Sequence, residues 1–225
     1  MTAPTQLFLV RHGETDWNRA RRIQGRTDIP LNDTGRAQAA ATGELLARRR
    51  WDAVLASPLD RARETGAIIA ARLGLPAPEL FPAVVERDYG AAEGLDFLEV
   101  DRRFPEGAEV PGRETREQVA ARVVPALVEL AQARPGQRLV IVSHGGAIRA
   151  VLDHAEPGVR RGAITNGSVH SFRHRDGALD LIAFDDRLEP ESIAPEAGEL
   201  DAQNALEARE DAAADSSRRD RAARR

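Results

Sequence analysis

No cysteine occurs among the 225 residues. That excludes disulfides, thiolate nucleophiles and thiolate metal sites, and with them redox and zinc-finger functions. Lysine is missing too, so all 32 basic residues are arginine, and arginine's frequency carries less meaning than its position. No apolar run approaches the ~18 to 20 residues of a membrane helix, and the N-terminal residues lack the charged stretch and apolar core of a secretory leader. A soluble, cytoplasmic chain is the expectation. A basic excess is also lacking. Residues 186–225 hold 11 acidic and 7 basic side chains, which accounts for the whole formal charge of -4 and leaves 25 of each sign before them. Such a body has no field with which to attract nucleic acid.

What is present reads as an α/β domain. Short runs rich in Val, Leu and Ile at residues 7–10, 53–56 and 139–142 alternate with longer segments of helical period, the pattern of a mostly parallel sheet covered by helices. Helices are predicted over 34–48, with Ala37, Ala41 and Leu45 on the inner face and Asn32, Asp33 or Thr34 as cap. A second spans 59–73, with Ser57 as capping hydroxyl and Pro58 in the first turn, burying Ala62, Ile69 and Leu73. A third spans 114–134, with Val119, Val123, Leu127 and Leu130 aligned and Pro125 inside. Residues 77–111 read as loop, with a short helix near 97–104 and the character of a lid. Runs at 168–174 and 178–184 flank Arg175-Asp176-Gly177 as a terminal hairpin. The domain is thus expected over 1–185, and the charged segment 186–225 as disordered in spite of a helix-permissive stretch near 200–213. No internal repeat is present.

Two histidines occupy equivalent places. Arg11-His12-Gly13 follows the first strand and Ser143-His144-Gly145-Gly146 follows the strand at 139–142, while Ser57 to Arg61 follows a third. Ligands in open parallel sheets collect beyond the strands' carboxyl ends, so these loops converge on one pocket. The glycines after each histidine are expected to let a ligand approach the backbone. Arginine's planar fork suits phosphate oxygens, and nearby cations keep an imidazole neutral and nucleophilic. The pocket reads as an anion site containing a nucleophile.

Leu9-Val10-Arg11-His12-Gly13-Glu14-Thr15 resembles the signature of the histidine phosphatase superfamily, the phosphoglycerate mutase-like family. Asn18, Gln24-Gly25, Pro30-Leu31, Gly35, Ser57-Pro58-Leu59-Asp60-Arg61-Ala62, Glu86, Tyr89-Gly90, Glu93-Gly94, Pro111-Gly112 and Ser143-His144-Gly145-Gly146 follow in that family's order, over residues 6–184. The resemblance implies a three-layer α/β/α sandwich and a metal-independent phosphomonoesterase without cofactor. His12 would become phosphohistidine, and Arg11, Arg61 and His144 would hold the phosphoryl oxygens. Glu86 would serve as proton donor and base. Asn18, Gln24, Gly25, Tyr89 and Gly145 complete the implied substrate contacts.

The implied substrate is a phosphorylated small molecule, with neither nucleic acid nor membrane as partner; its identity and the oligomeric state are not legible. A bisphosphoglycerate-dependent mutase is the nearest alternative, but its longer lid carries lysine and an arginine pair, and here the interval from Glu86 to His144 is short. A non-catalytic phospholigand module is the other. Arg113 stands where many relatives have glycine, and Arg87 or Arg113 is a candidate for a second anionic group of the substrate. His154, His170 and His174 are expected to be structural or exposed, and Trp17 and Trp51 to pack without entering the chemistry.

Overall fold

The computed structural model describes residues 3–188 together with Asn204, Leu206, Glu207, Arg209 and Glu210. Elements follow in the order β1 (Gln6–Arg11), α1 (Asp16–Arg19), α2 (Asp33–Leu46), β2 (Ala53–Ala56), α3 (Asp60–Leu73), β3 (Glu79–Leu80), α4 (Phe97–Arg103), α5 (Arg116–Ala133), β4 (Arg138–Ser143), α6 (Gly145–Ala155), β5 (Val169–Arg175) and β6 (Ala178–Ala183). They build one six-stranded sheet in the order β3-β2-β4-β1-β5-β6. The first three pairings are parallel and the two involving β5 are antiparallel.

The sheet's interior strands are apolar on both sides, and their period of two divides the core. Leu7, Leu9, Leu55, Leu139 and Ile141 face one way and pack with Val119, Val123 and Leu127 of α5 and with α6. Phe8, Val10, Val54, Ala56, Val140 and Val142 face the other way, onto Leu46 of α2 and Ala62 and Ile69 of α3. Helices on both faces make the three-layer α/β/α arrangement. Among the described residues, no helix is long and apolar enough to cross a membrane.

Local chemistry sets the element ends. Asn32 caps α2 by accepting from the Gly35 amide. Thr115 and Gln118 form a reciprocal capping box on α5. α3 stops at Gly74, whose φ of 67° suits a residue without Cβ, and the β5–β6 hairpin turns through positive φ at Asp176 and Gly177.

Three expectations need correction. The buried face of α2 is Gly35, Ala39, Thr42, Gly43 and Leu46, whereas Ala37 and Ala41 are exposed and Leu45 is half-buried. In an alanine-rich helix the period is visible, but small residues on several faces leave its phase ambiguous. Ser57 is not the cap of α3, nor is Pro58 in its first turn: the helix opens from Leu59 without a side-chain cap, and the Ser57 hydroxyl accepts from the Leu59 amide at 3.4 Å and lies 2.7 Å from His144 Nε2. Most of segment 186–225, expected to be disordered, lies outside the described residues. Those that are described depart from that expectation. Asp186 accepts from Ser171, Leu188 joins the core, and the helical residues between 204 and 210 pack on the domain, with Asn204, Leu206 and Glu207 buried.

Candidate active site

Strand pairing brings the site together. β1 and β4 run parallel in register, with Arg11 beside Ser143, and the His12 amide extends the ladder by donating to the Ser143 carbonyl at 3.0 Å. The two histidines therefore leave the sheet at the same edge, their ring centroids 5.1 Å apart. β2 lies on the far side of β4, and the turn after it sends Arg61 of α3 into the same space.

His12 is buried, and its Nδ1 lies 2.7 Å from the Gly13 carbonyl. A carbonyl only accepts, so Nδ1 carries the proton and Nε2 presents its lone pair. Arg61 Nε donates to that Nε2 at 3.2 Å. The rest of the Arg61 guanidinium donates to the carbonyls of Thr27 and Gly25, at 2.9 and 2.7 Å, so its plane is fixed. Arg11 donates to the Ile164 carbonyl at 2.6 Å.

Burial, then the charges of Arg61 and Arg11, hold the His12 pKa well below the ordinary histidine value. His144 is lowered likewise, by burial first and then by Arg61, His12 and Arg11. Both rings are neutral at neutral pH. Burial lowers Arg61 to about 10, against the opposing pull of Glu86 and Asp28, so it keeps its charge.

Glu86 approaches from the loop after β3. Its carboxylate accepts from the Gly146 amide at 3.2 Å and the Ala147 amide at 3.0 Å, at the N-terminus of α6, and from the Arg87 amide at 2.7 Å. A Cβ on Gly146 would stand 2.8 Å from Glu86 Oε1 and 3.0 Å from the Tyr89 hydroxyl. That glycine therefore makes room for the acid. Gly13 is constrained in the same sense, since its Cβ would lie 2.3 Å from the Gly35 carbonyl oxygen; the loop needs glycine to cross the start of α2. Packing against the protein therefore already requires glycine at both positions.

The structure brings His12, His144, Arg11, Arg61 and Glu86 together. The other expected contacts are arranged less simply. Asn18 is buried and caps α1 reciprocally with Thr15. Gln24 accepts from Thr15 at 2.9 Å, and its Nε2, like His144 Nδ1, is buried without a protein partner among the described residues. Gly25 contributes the carbonyl that braces Arg61, and Gly145 is the buried first residue of α6. The Tyr89 hydroxyl is not open to the pocket: it donates to Glu207 at 2.6 Å, and burial, then Glu207 and Glu86, push its pKa up. Arg87 and Arg113 likewise meet residues of the C-terminal segment.

Several supporting residues escaped the sequence reading. Thr65 joins the Gly13 amide to the Arg61 carbonyl, and Asn166 donates to the His12 carbonyl at 2.9 Å. Arg122 of α5 donates to the carbonyls of Ala83, Val85 and Glu86, each at 2.9 Å, and so fixes the loop that carries the acid. Ser57 and Glu93 lay inside recognised motifs, but Asn166 and Arg122 carry no local signal. His170 is structural, accepting from the Asp185 amide and facing Ser168. Among the described residues no three His, Asp or Glu side chains converge as a metal-ligand set.

A model of the histidine phosphatase superfamily (branch 1) matches residues 7–187. The uncharacterized phosphatase PhoE of Bacillus subtilis (strain 168) is 45% identical over 154 residues, 68% of this chain and 79% of that one. A metal-independent phosphoserine phosphatase of Arabidopsis thaliana is 36% identical over 194 residues, covering 81% of this chain and 82% of its own. Among solved structures, a mycobacterial glucosyl-3-phosphoglycerate phosphatase superposes with a TM-score of 0.72 at 28% identity, over 80% of this chain and 98% of that one.

Proposed function

The chain belongs to branch 1 of the histidine phosphatase superfamily and is a phosphatase, and we propose that it hydrolyses a phosphorylated small molecule through a phosphohistidine on His12. One observation carries the reading: the neutral His12 ring presents Nε2 with Arg61 Nε beside it at 3.2 Å, so the nucleophilic lone pair and a cation share one buried point. In the first step Nε2 attacks phosphorus and the ester P–O bond breaks. Glu86, protonated for this step, gives its proton to the leaving oxygen. In the second step the Glu86 carboxylate takes a proton from water, the new oxygen bonds to phosphorus, the P–N bond breaks, and inorganic phosphate leaves.

Arg11 and Arg61 carry the charge that builds on the equatorial oxygens, a task metal ions perform in many other phosphoryl-transfer sites. His144 Nδ1 and Gln24 Nε2, buried without a protein partner among the described residues, are suited to meet phosphoryl oxygens, since a buried polar nitrogen is costly until it is paired. Asn18 and Gly145 frame the same space.

Phosphate release from a panel of phosphomonoesters in EDTA, with His12→Ala alongside, tests this. Metal-independent release that disappears in the variant is the expected result. Bisphosphoglycerate-dependent interconversion of phosphoglycerates without hydrolysis would favour the mutase instead, and phosphate binding without either reaction would favour a binding module.

A further inference from the structure

Outside the reacting groups, the feature that the mechanism leaves unused is a carboxylate pair from the C-terminal segment seated among arginines. Glu207 is buried and meets Arg87 at 3.0 Å, Arg116 at 2.6 Å and the Tyr89 hydroxyl at 2.6 Å. Glu210 meets Arg87 at 2.8 Å, Arg113 at 3.2 Å and Arg116 at 3.3 Å. Arg116 also faces Asp153 at 3.5 Å. The cluster borders the catalytic acid through Arg87, its neighbour in the chain: a Cβ on Gly146 would stand within 3.1 Å of Glu86 Oε1, the Tyr89 hydroxyl and Arg87 Cβ. The segment touches the pocket a second time, because Asn204 donates to the Ile164 carbonyl at 3.2 Å, the same oxygen that accepts from Arg11.

We propose that Glu207 and Glu210 are a tethered competitor for an acidic group of the substrate, so that Arg87, Arg113 and Arg116 accept that group when the C-terminal segment releases them. This rests on the phosphatase reading and narrows its substrate class to phosphomonoesters bearing a carboxylate. Three points support it. The ligands already present are carboxylates in forked arginine contacts, the geometry such a substrate would use. Buried ion pairs recover little net stability after desolvation, so structural glue is a weak reason for them. Between residues 204 and 210 the buried apolar anchor among the described residues is Leu206, which packs with Ile23, Tyr89 and Val110. A cavity of about 670 Å³ lies beside the same arginines, lined by Arg87, Arg113, Arg116 and Glu210 and not by either catalytic histidine. It offers room for the remainder of a substrate.

The full-length chain carrying Glu207→Gln and Glu210→Gln tests this against wild type, with 3-phosphoglycerate as the carboxylated ester and p-nitrophenyl phosphate as the ester without a carboxylate. A tethered competitor raises the apparent KM to the intrinsic value divided by the fraction of time it is undocked. The expected result is a severalfold lower KM for 3-phosphoglycerate, with kcat, and both constants for p-nitrophenyl phosphate, unchanged. Leu206→Ala, which leaves every charge in place, should act in the same direction. Arg113→Ala added to the double variant should raise KM for 3-phosphoglycerate alone. Equal changes for both esters, or no fall in KM for 3-phosphoglycerate, would overturn the proposal. Calorimetric binding of 3-phosphoglycerate to His12→Ala, with and without the two glutamine substitutions, separates this from the phosphatase reading. Tighter binding upholds the competitor even where no ester is hydrolysed, and unchanged or absent binding overturns it even where hydrolysis is intact.

Discussion

Arg61 and His12 are joined nitrogen to nitrogen: the guanidinium Nε–H points at the imidazole Nε2 across 3.2 Å, while Gly13 holds the proton on the opposite side of the ring. The Gly13 contact thus fixes which nitrogen reacts, and the Arg61 contact places a cation where the phosphoryl group would arrive. The same cation helps burial keep the ring unprotonated.

The pH profile should report this arrangement. Since His12 in the free enzyme lies well below the ordinary value, wild-type kcat/KM should not fall on its account through the ordinary histidine range near pH 6.5. Removing a positive neighbour raises a histidine pKa, so Arg61→Gln should move the acid limb of kcat/KM upward. It should also lower kcat by roughly 10² to 10³ through lost charge stabilisation. A slower enzyme with an unmoved acid limb would separate Arg61 from His12.

Glu86→Gln distinguishes proton donation from simple positioning. Loss of a general acid should lower kcat/KM for an alkyl phosphate by roughly 10² to 10⁴. p-Nitrophenyl phosphate, whose leaving group departs without a proton, should lose far less. Equal losses for both esters would remove Glu86 from the acid's role.

Gly13→Ala should destabilise the fold, because its Cβ would stand 2.3 Å from a backbone oxygen that no rotamer change can move. Overpacking of this kind costs roughly 1–3 kcal/mol, which corresponds to a Tm lower by about 2–4 °C per kcal/mol in a domain of this size. Gly162→Ala, with nothing within 4 Å, should leave Tm in place and serves as the control.

Much of this was legible in the sequence because each feature has a local cause. The strands at 53–56 and 139–142 are continuous apolar runs, and Asp176-Gly177 announces its hairpin. His12, Arg61 and His144 stand in motifs that only their shared strand edge explains. What escaped depends on distant partners. Arg122 earns its place through carbonyls nearly forty residues earlier in the chain, and the two-residue β3 exists only by pairing with β2. The charged segment near 200–213 looks solvated until Glu207 meets Arg87 and Arg116, a match that composition cannot display.

Acid should unfold the protein in a manner traceable to its buried imidazoles. Burial, followed by the charges of Arg149 and Arg161, lowers His170 to about 3, while the unfolded chain titrates near pH 6.5. Below that pH the unfolded state takes up a proton that the folded state refuses. Stability is therefore constant in this respect above about pH 6.5 and falls toward pH 3, by roughly 1.4 kcal/mol per pH unit for each such histidine. His170→Gln should flatten the dependence of unfolding free energy on pH between about 6 and 4. An unchanged slope would show that His170 is not held neutral.

The central claim is a covalent bond between phosphorus and His12, and the most direct measurement is its capture. Wild-type enzyme mixed with a phosphomonoester, quenched in base and digested, should yield a peptide spanning Arg11-His12-Gly13 that carries one phosphoryl group. With p-nitrophenyl phosphate, whose leaving group needs no proton, Glu86→Gln should accumulate more of it, because the water step still needs that carboxylate, and His12→Ala should yield none. Sustained turnover with no phosphorylated peptide, or with the phosphoryl group on another residue, would contradict the account.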